Sequence, residues 1–186
     1  TLIADINEEM YRKIVENRSV RDKDAEETAK IVGLSAIKYG DLSNQATKDY
    51  VFDIDRFTSF EGNTGPYILY TIVRIKSILN RYREEGGTME DAQLLAPVND
   101  SEKNLLLGLT EFGSTVENAY EEKAPHKICA YIYEVSNAFN SFYHETRILG
   151  EENAAQKKSF LSLLELTRNI LETAIDLLGF SAPERM

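Results

Sequence analysis

Cysteine is nearly absent from this sequence, which has a single one, Cys129, among 186 residues. One cysteine excludes an internal disulfide bond and any zinc site built from a cysteine cluster. Strictly apolar stretches are short as well and reach only a few residues, as at 105–107, so we expect no bilayer-spanning segment. No secretory leader precedes the first periodic segment, and we expect a reduced, cytoplasmic protein. The first residue is Thr1 rather than methionine, which predicts a fragment or a processed chain.

Basic residues and histidines are both in short supply. The 21 lysines and arginines are outnumbered by 31 aspartates and glutamates. The net charge of −10 argues against a nonspecific DNA-binding protein, which needs positive charge to replace the counterions on the phosphates. Neither of the two histidines follows a glutamate by three residues, and the segment at His144 lacks the second histidine of a zincin helix, so we predict no metal site. No spacing indicates an activated nucleophile, and we predict no catalytic residue and no cofactor in this chain.

Proline and glycine are infrequent, at four and ten residues, and leave long uninterrupted stretches between them. Most of these stretches repeat apolar residues with a period of 3.6, which predicts an all-α fold, an antiparallel helical bundle. The predicted helices are residues 2–18, 22–39, 67–84, 88–96, 101–123, 125–149 and 151–178. The apolar face predicted for the first of them consists of Ile3, Ile6, Met10 and Ile14.

The segments between these helices contain turn and cap signals. Alternating apolar residues permit a short strand over 50–54, and Asp55 is a candidate cap for a helical turn after it. Residues 61–66 predict a turn, with Pro66 suited to the first helical position. Asp100 or Ser101 is the predicted cap of the helix over 101–123.

The helix predicted over 67–84 divides into an apolar side and an aromatic and basic side. At 100° per residue, four side chains project within about 60° of one another, opposite the apolar sector: Tyr67, Tyr70, Arg74 and Arg81. Unpaired bases stack on tyrosine rings and on guanidinium planes, so this side is a candidate platform for bases. The alternative is that both tyrosines pack against a neighbouring helix and keep their hydroxyls in water. The residues predicted to contact phosphates are Lys76, Arg81 and Arg83.

The helix predicted over 125–149 shows a similar division. Its apolar face consists of Ile128, Ile132, Val135, Phe139 and Phe142. Tyr143 lies at the edge of this face, while Asn137 and Asn140 lie on the other side. Asparagine side chains are able to read the edge of a base, and a solvated polar face is the simpler interpretation.

Four segments carry a resemblance to a known family. They are Tyr-Gly-Asp-Leu-Ser at 39–43, Asp-Tyr-Val-Phe-Asp at 49–53, Phe-Glu-Gly-Asn-Thr-Gly-Pro-Tyr-Ile-Leu-Tyr at 60–70 and Ala-Pro-Glu-Arg-Met at 182–186. With these segments, and in one order over essentially the whole chain, the sequence resembles the C-terminal part of the arginyl-tRNA synthetases, which are class I aminoacyl-tRNA synthetases. The string at 60–70 is the most specific of the four, and the terminal motif supports it.

The resemblance implies a division of the chain at residue 60. Residues 1–60 would form a helical connector that packs against the catalytic domain of the same polypeptide. Residues 61–186 would form a helical anticodon-binding domain that binds the anticodon loop of tRNA(Arg). The full-length protein would be an arginine–tRNA ligase that uses ATP and Mg²⁺. The signatures of the class I catalytic domain do not occur here, so we expect this chain to be inactive in ligation by itself.

The resemblance also assigns site residues. Tyr67 and Tyr70 match aromatic residues of the family's anticodon surface, and Tyr143 matches a third. Met186 matches the terminal residue, which lies close to the anticodon bases in that family. Leu69 stands where many members have glutamine, which removes a polar contact. The predicted anticodon-binding residues are therefore Tyr67, Tyr70, Arg74, Tyr143 and Met186.

Two other interpretations of the sequence stay open. One is a helical protein-interaction scaffold, in which the aromatic and basic side is a partner-binding face with no preference among RNA loops. The other is a relationship to different class I synthetases with a related helical domain, such as the cysteinyl enzymes.

Overall fold

A computed structural model describes residues 1–16 and 22–186 of the chain. The helices in this part are α1 (Leu2–Glu16), α2 (Asp22–Leu42), α3 (Ile54–Phe57), α4 (Gly65–Glu84), α5 (Asp100–Thr110), α6 (Phe112–Glu121), α7 (Pro125–Glu145) and α8 (Ala154–Leu177). No strand occurs among these residues, and the prediction of an all-α fold is confirmed. The predicted end of the first helix, at residue 18, lies outside the described residues. Over the same two ranges, no helix combines the length and the apolar character needed to cross a membrane.

The helix predicted over 88–96 is wrong, because this segment is an irregular loop between α4 and α5. Asp91 has a left-handed backbone (φ 59°), a conformation that a right-handed helix does not allow. Two polar groups of the loop bond to α8. The backbone N–H of Leu95 donates to Ser159 Oγ at 2.9 Å, and Lys158 Nζ donates to the carbonyl of Glu90 at 2.6 Å. Tertiary hydrogen bonds therefore replace the predicted helical ones.

Residues 50–54 do not form the strand that alternation permits. Asp53, and not Asp55, caps the short helix α3, since its Oδ1 accepts a hydrogen bond from the backbone N–H of Arg56 at 3.1 Å. The aromatic residues of this segment pack on one another rather than along a sheet. The rings of Phe52 and Phe57 meet edge to face with centroids 4.6 Å apart. Both predictions for this segment are wrong.

The single helix predicted over 101–123 is two helices, α5 and α6. They join at Glu111, which ends one and begins the other, and its N–H bonds to the carbonyl of Gly108 in a tighter i to i−3 turn at 3.2 Å. The cap of α5 is Asn99, whose Oδ1 accepts from the N–H of Glu102 at 2.9 Å. The prediction of Asp100 or Ser101 as the cap is therefore wrong.

The last two helices are shorter than predicted. The extended backbone of Thr146 (φ −126°, ψ 127°) ends α7 at Glu145 rather than at 149. Asn153 then caps α8, its Oδ1 accepting from the N–H of Gln156 at 3.0 Å, so this helix begins at Ala154 rather than at 151.

The apolar faces of the helices meet in one continuous core that includes residues from both sides of position 60. On α1, three of the four predicted residues are buried, whereas Ile3 is 62% exposed, so its assignment to the buried face is wrong. The largest fully buried side chains of the other helices include Tyr39, Phe139, Phe142 and Phe160. The predicted boundary between connector and anticodon-binding domain at residue 60 stays a prediction.

Helix α4 begins directly against α2. A Cβ at Gly65 would collide with the carbonyl oxygen of Ser35, so only glycine permits this approach. Thr64 caps α4, its Oγ1 accepting from the N–H of Tyr67 at 3.1 Å. The fully buried Tyr39 places its hydroxyl within hydrogen-bond distance of Asn63 and of the Cys129 carbonyl. The Gly-Asn-Thr-Gly string thus fixes where α4 starts and how its first turn is oriented.

Candidate nucleic-acid interface

Tyr67, in the first turn of α4, is half-buried against the middle of α7. Its hydroxyl donates to Asn137 Oδ1 at 2.8 Å and accepts from Asn140 Nδ2 at 2.9 Å. Its ring meets that of Tyr133 edge to face, with centroids 5.9 Å apart. Burial raises the pKa of Tyr67 above its ordinary value. Tyr67 therefore packs against α7 and is only partly exposed, and its role at the anticodon surface stays a prediction.

Two exposed tyrosines, Tyr70 and Tyr143, and the half-buried Arg74 form a group that we call the tyrosine–arginine cluster. The guanidinium carbon of Arg74 lies 4.7 Å from the centroid of the Tyr70 ring and 4.8 Å from that of Tyr143. Arg74 Nη2 also donates to the Tyr70 hydroxyl at 3.0 Å. Tyr70 is 40% exposed and Tyr143 is 37% exposed, so parts of both rings remain open to solvent. The structure thus brings together three of the predicted site residues from two helices.

Asn140 connects this cluster to Tyr67. Its Oδ1 accepts a hydrogen bond from Arg74 Nη1 at 2.6 Å, and its Nδ2 donates to Tyr67 and, at 3.3 Å, to Thr71 Oγ1. The face of α7 that carries Asn137 and Asn140 is therefore a polar contact with α4 and not the solvated face expected from the sequence. Cross-helix hydrogen bonds of this kind set the spacing between the two helices that present the tyrosines.

Lys76 does not lie on an accessible basic strip. Its side chain is only 10% exposed, and its ammonium lies 2.9 Å from a carboxylate oxygen of Glu172 and 2.9 Å from one of Glu184. Burial disfavours its charged form, but the hydrogen bonds to Glu184 and Glu172 outweigh this and raise the pKa of Lys76. Arg81 pairs with Glu85 at 2.9 Å, and Arg83 pairs with Glu165 at 2.8 Å. Phosphate contacts by these three cations stay predictions, and each would compete with a carboxylate.

The C-terminal segment folds back onto the bundle. Pro183 is buried, Lys76 Nζ lies 3.5 Å from its carbonyl oxygen, and Met186 packs at the edge of the hydrophobic core. Lys76 and Arg74 are two residues apart, so they project from α4 in directions about 160° apart. The anchor of the tail and the tyrosine–arginine cluster therefore lie on different sides of α4. A contact of Met186 with a base in the cluster stays a prediction.

Comparison with known proteins identifies the family to which this arrangement belongs. Residues 68–186 match the family model described as the DALR anticodon binding domain. The chain belongs to this family. The matched residues of the DALR domain include α4 from Ile68 onward, all of α7 and the C-terminal segment, which together carry the tyrosine–arginine cluster and the tail.

Relatives of this DALR domain are arginine–tRNA ligases. The chain is 62% identical to the arginine–tRNA ligase of Agathobacter rectalis and 53% identical to that of Alkaliphilus oremlandii. In both cases the whole chain aligns, with 32% and 31% of the relative, so it spans about a third of the length of the curated relatives. The resemblance to arginyl-tRNA synthetases is confirmed.

Solved structures give the same result for the fold of the DALR domain. The arginyl-tRNA synthetase of Thermus thermophilus superposes with a TM-score of 0.86 at 28% identity, over the whole chain and 32% of that protein. The arginyl-tRNA synthetase of Plasmodium falciparum superposes with a TM-score of 0.86 at 28% identity, over the whole chain and 33% of that protein.

Sequence reasoning missed the polar contact between α4 and α7 in the DALR domain. One signal was present, since Asn137 and Asn140 are three residues apart and project from the same side of a helix. The partner helix was not predictable from that spacing. Cys129 is fully buried, and burial raises its pKa to about 12, which keeps the thiol protonated and unreactive.

Proposed function

We propose that the chain binds the anticodon loop of tRNA(Arg) through the tyrosine–arginine cluster. The observation that carries the proposal is the half-buried guanidinium of Arg74 lying against two exposed tyrosine rings in a domain of the DALR anticodon-binding family. The chain has a net charge of −10, so attraction for RNA must come from local groups rather than from the overall field. Aromatic rings and a guanidinium plane supply such groups.

In this mechanism, bases of the loop leave their stack and lie against the open parts of the Tyr70 and Tyr143 rings. Each stacked base contributes roughly 1–3 kcal/mol. The Arg74 guanidinium adds a stacking plane and a donor for a phosphate or a base edge. Tyr67 acts as a support, since its hydroxyl joins α4 to α7. The proposal includes selection of the middle cytosine of arginine anticodons and a contact of Met186 with the anticodon bases, as the resemblance to the arginyl-tRNA synthetases implies.

The relatives support a proposal for the whole protein. We propose that this chain is the anticodon-binding part of an arginine–tRNA ligase that works in the cytoplasm and uses ATP and Mg²⁺ in a catalytic domain. The turn of Gly62 to Gly65 does not fit ATP, since Pro66 and Tyr67 follow it in place of the Lys-Ser/Thr pair of a phosphate loop, and it caps α4 instead. Exposed apolar side chains on α1, which include Leu2 and Ile3, are the proposed contact with the catalytic domain.

The test compares RNA hairpins by fluorescence anisotropy. The chain should bind a hairpin with an arginine anticodon more tightly than one in which guanine replaces the central cytosine. Tyr70→Ala should weaken binding by about 1–3 kcal/mol, since one stacking ring is lost. Tyr120→Ala is the matched control, because Tyr120 is 84% exposed on α6, outside the cluster.

The alternative function, a scaffold that binds a protein through the same face, would give a different result. It would bind both hairpins equally, or neither, and Tyr70→Ala would leave any RNA binding unchanged. Circular dichroism of each variant separates a lost contact from a lost fold.

A further inference from the structure

Both polar atoms of the Asn140 side chain are engaged within the protein. Its Oδ1 accepts from Arg74 Nη1 at 2.6 Å, and its Nδ2 donates to Tyr67 Oη at 2.9 Å and to Thr71 Oγ1 at 3.3 Å. The side chain is half-buried between α4 and α7. Asn140 has no polar atom left to read a base with. It does contact Arg74, which belongs to the tyrosine–arginine cluster.

We propose that Asn140 is a positioning residue for RNA recognition. It holds the Arg74 guanidinium against the rings of Tyr70 and Tyr143, so that the three groups form one stacking surface before RNA arrives. This inference rests on the proposed function and deepens it, since it assigns the preorganisation of the cluster to a residue outside it.

The physical reason lies in the freedom of an arginine side chain. A free guanidinium on a long, flexible stem must be ordered when RNA binds, and ordering one such side chain costs a factor of roughly 2 to 12 in affinity. The hydrogen bond from Arg74 to Asn140, 2.6 Å long, fixes one end of the guanidinium. The bond to the Tyr70 hydroxyl, 3.0 Å long, fixes the other. Two bonds in different directions fix the position and the plane of the group.

Asn137 provides a matched comparison. It is the same residue type, one helical turn earlier on α7, and it accepts a hydrogen bond from Tyr67 at 2.8 Å. This hydrogen bond joins it to the support residue Tyr67 and not to Arg74. If the hydrogen bonds between α4 and α7 acted only by joining the two helices, removal of either asparagine would change RNA affinity to the same extent.

The first experiment observes Arg74 directly, without RNA. In the chain labelled with ¹⁵N-arginine, the ring currents of two tyrosines should shift the side-chain N–H resonances of Arg74 away from those of exposed arginines. Asn140→Ala should move these resonances towards the free values, and Asn137→Ala should not. Arg74 resonances that are the same in Asn140→Ala and in the unsubstituted chain would overturn the inference.

The second experiment measures affinity for the arginine anticodon hairpin in a double-mutant cycle. Asn140→Ala should weaken binding roughly 2- to 10-fold, and Asn137→Ala should leave it within twofold. In the Arg74→Ala background, Asn140→Ala should have no further effect, because its target is gone. A merely structural role would instead lower affinity by the same factor in both backgrounds, and that result would overturn the inference.

The two proposals fail in different ways. If the unsubstituted chain prefers the arginine anticodon hairpin but Asn140→Ala binds it equally well, only the positioning role is refuted. If the unsubstituted chain binds no hairpin, the proposed function and the positioning role for RNA are refuted together. Thermal midpoints within a few degrees of the unsubstituted chain, measured for every variant, exclude unfolding as the cause.

Discussion

Lys76 holds the C-terminal segment on the bundle, and Lys76→Met tests how much this contact contributes to stability. The ammonium lies 2.9 Å from Glu172 on α8 and 2.9 Å from Glu184 in the tail, and the lysine side chain is 10% exposed. Methionine keeps most of the apolar stem and removes the charge. The substitution therefore isolates the ion pairs from the packing.

The stability lost in Lys76→Met can be estimated from the two ion pairs that Lys76 forms. Glu184 is 80% exposed, so its pair is screened by water and contributes little. Glu172 is less exposed and forms a charge-assisted hydrogen bond, which is the main contribution. Together we expect a loss of about 1–2 kcal/mol in the free energy of unfolding. For a chain of this length, that lowers the thermal midpoint by roughly 2–8 °C.

The pH dependence follows from the raised pKa of Lys76. A cation with a raised pKa contributes its full stability below the unfolded value of about 10.4 and loses it as the pH rises through the folded value. The difference between the unsubstituted chain and Lys76→Met should therefore be constant between about pH 6 and pH 9 and shrink only above that range.

The assay is urea denaturation at several pH values. Glu184→Gln serves as the control. It should lower the free energy of unfolding by less than Lys76→Met does, and in the Lys76→Met background it should lower it no further. A Lys76→Met variant as stable as the unsubstituted chain at pH 7 would refute the estimate. It would also mean that the tail is held by apolar contacts alone.

Three further predictions concern the stability of the fold. Gly65→Ala should destabilise the chain by about 1–3 kcal/mol in urea denaturation, because the new Cβ would collide with the Ser35 carbonyl. Gly108→Ala, whose Cβ would meet nothing within 4 Å in helix α5, should be stabilising by up to about 1 kcal/mol, and equal effects at both glycines would contradict the reasoning. Burial raises the pKa of Glu102, so its charge opposes folding above that pKa and the opposition fades as the pH falls through it. Glu102→Gln should therefore raise the thermal midpoint at pH 7 and lose this advantage towards acid pH, and an advantage that is independent of pH would argue against burial as its cause.

The long helices could be predicted because their signal is local. The apolar positions of α4, α7 and α8 repeat every 3.6 residues, and this period is visible without knowing any partner. The errors fall where tertiary contacts outweigh local preference. The loop over 88–96 forms hydrogen bonds with Ser159 and Lys158 of α8 and does not form a helix of its own. The segment at 50–54 packs its aromatic rings on Phe57 instead of pairing with a strand.

The candidate site was predictable in its members and less so in its arrangement. Spacing on one helix placed Tyr70 and Arg74 on a common side, and both contribute to the exposed cluster. The same spacing placed Tyr67 with them, yet α7 covers it, because a neighbouring helix lies on that side of the first turn. Lys76 was predicted as an accessible cation, although α8 and the tail enclose it.

The sequence by itself determined that this chain is helical, because periodicity is a property of neighbours along the chain. It also determined the family, because the string at 60–70 and the terminal motif are specific strings of residues. Only the tertiary structure decided which polar side chains remain available to a ligand. Arg74 and Lys76 are two positions apart on one helix, but one lies against exposed tyrosines and the other between carboxylates. That difference depends on which helix packs on each side of α4, and no single-helix pattern contains this information.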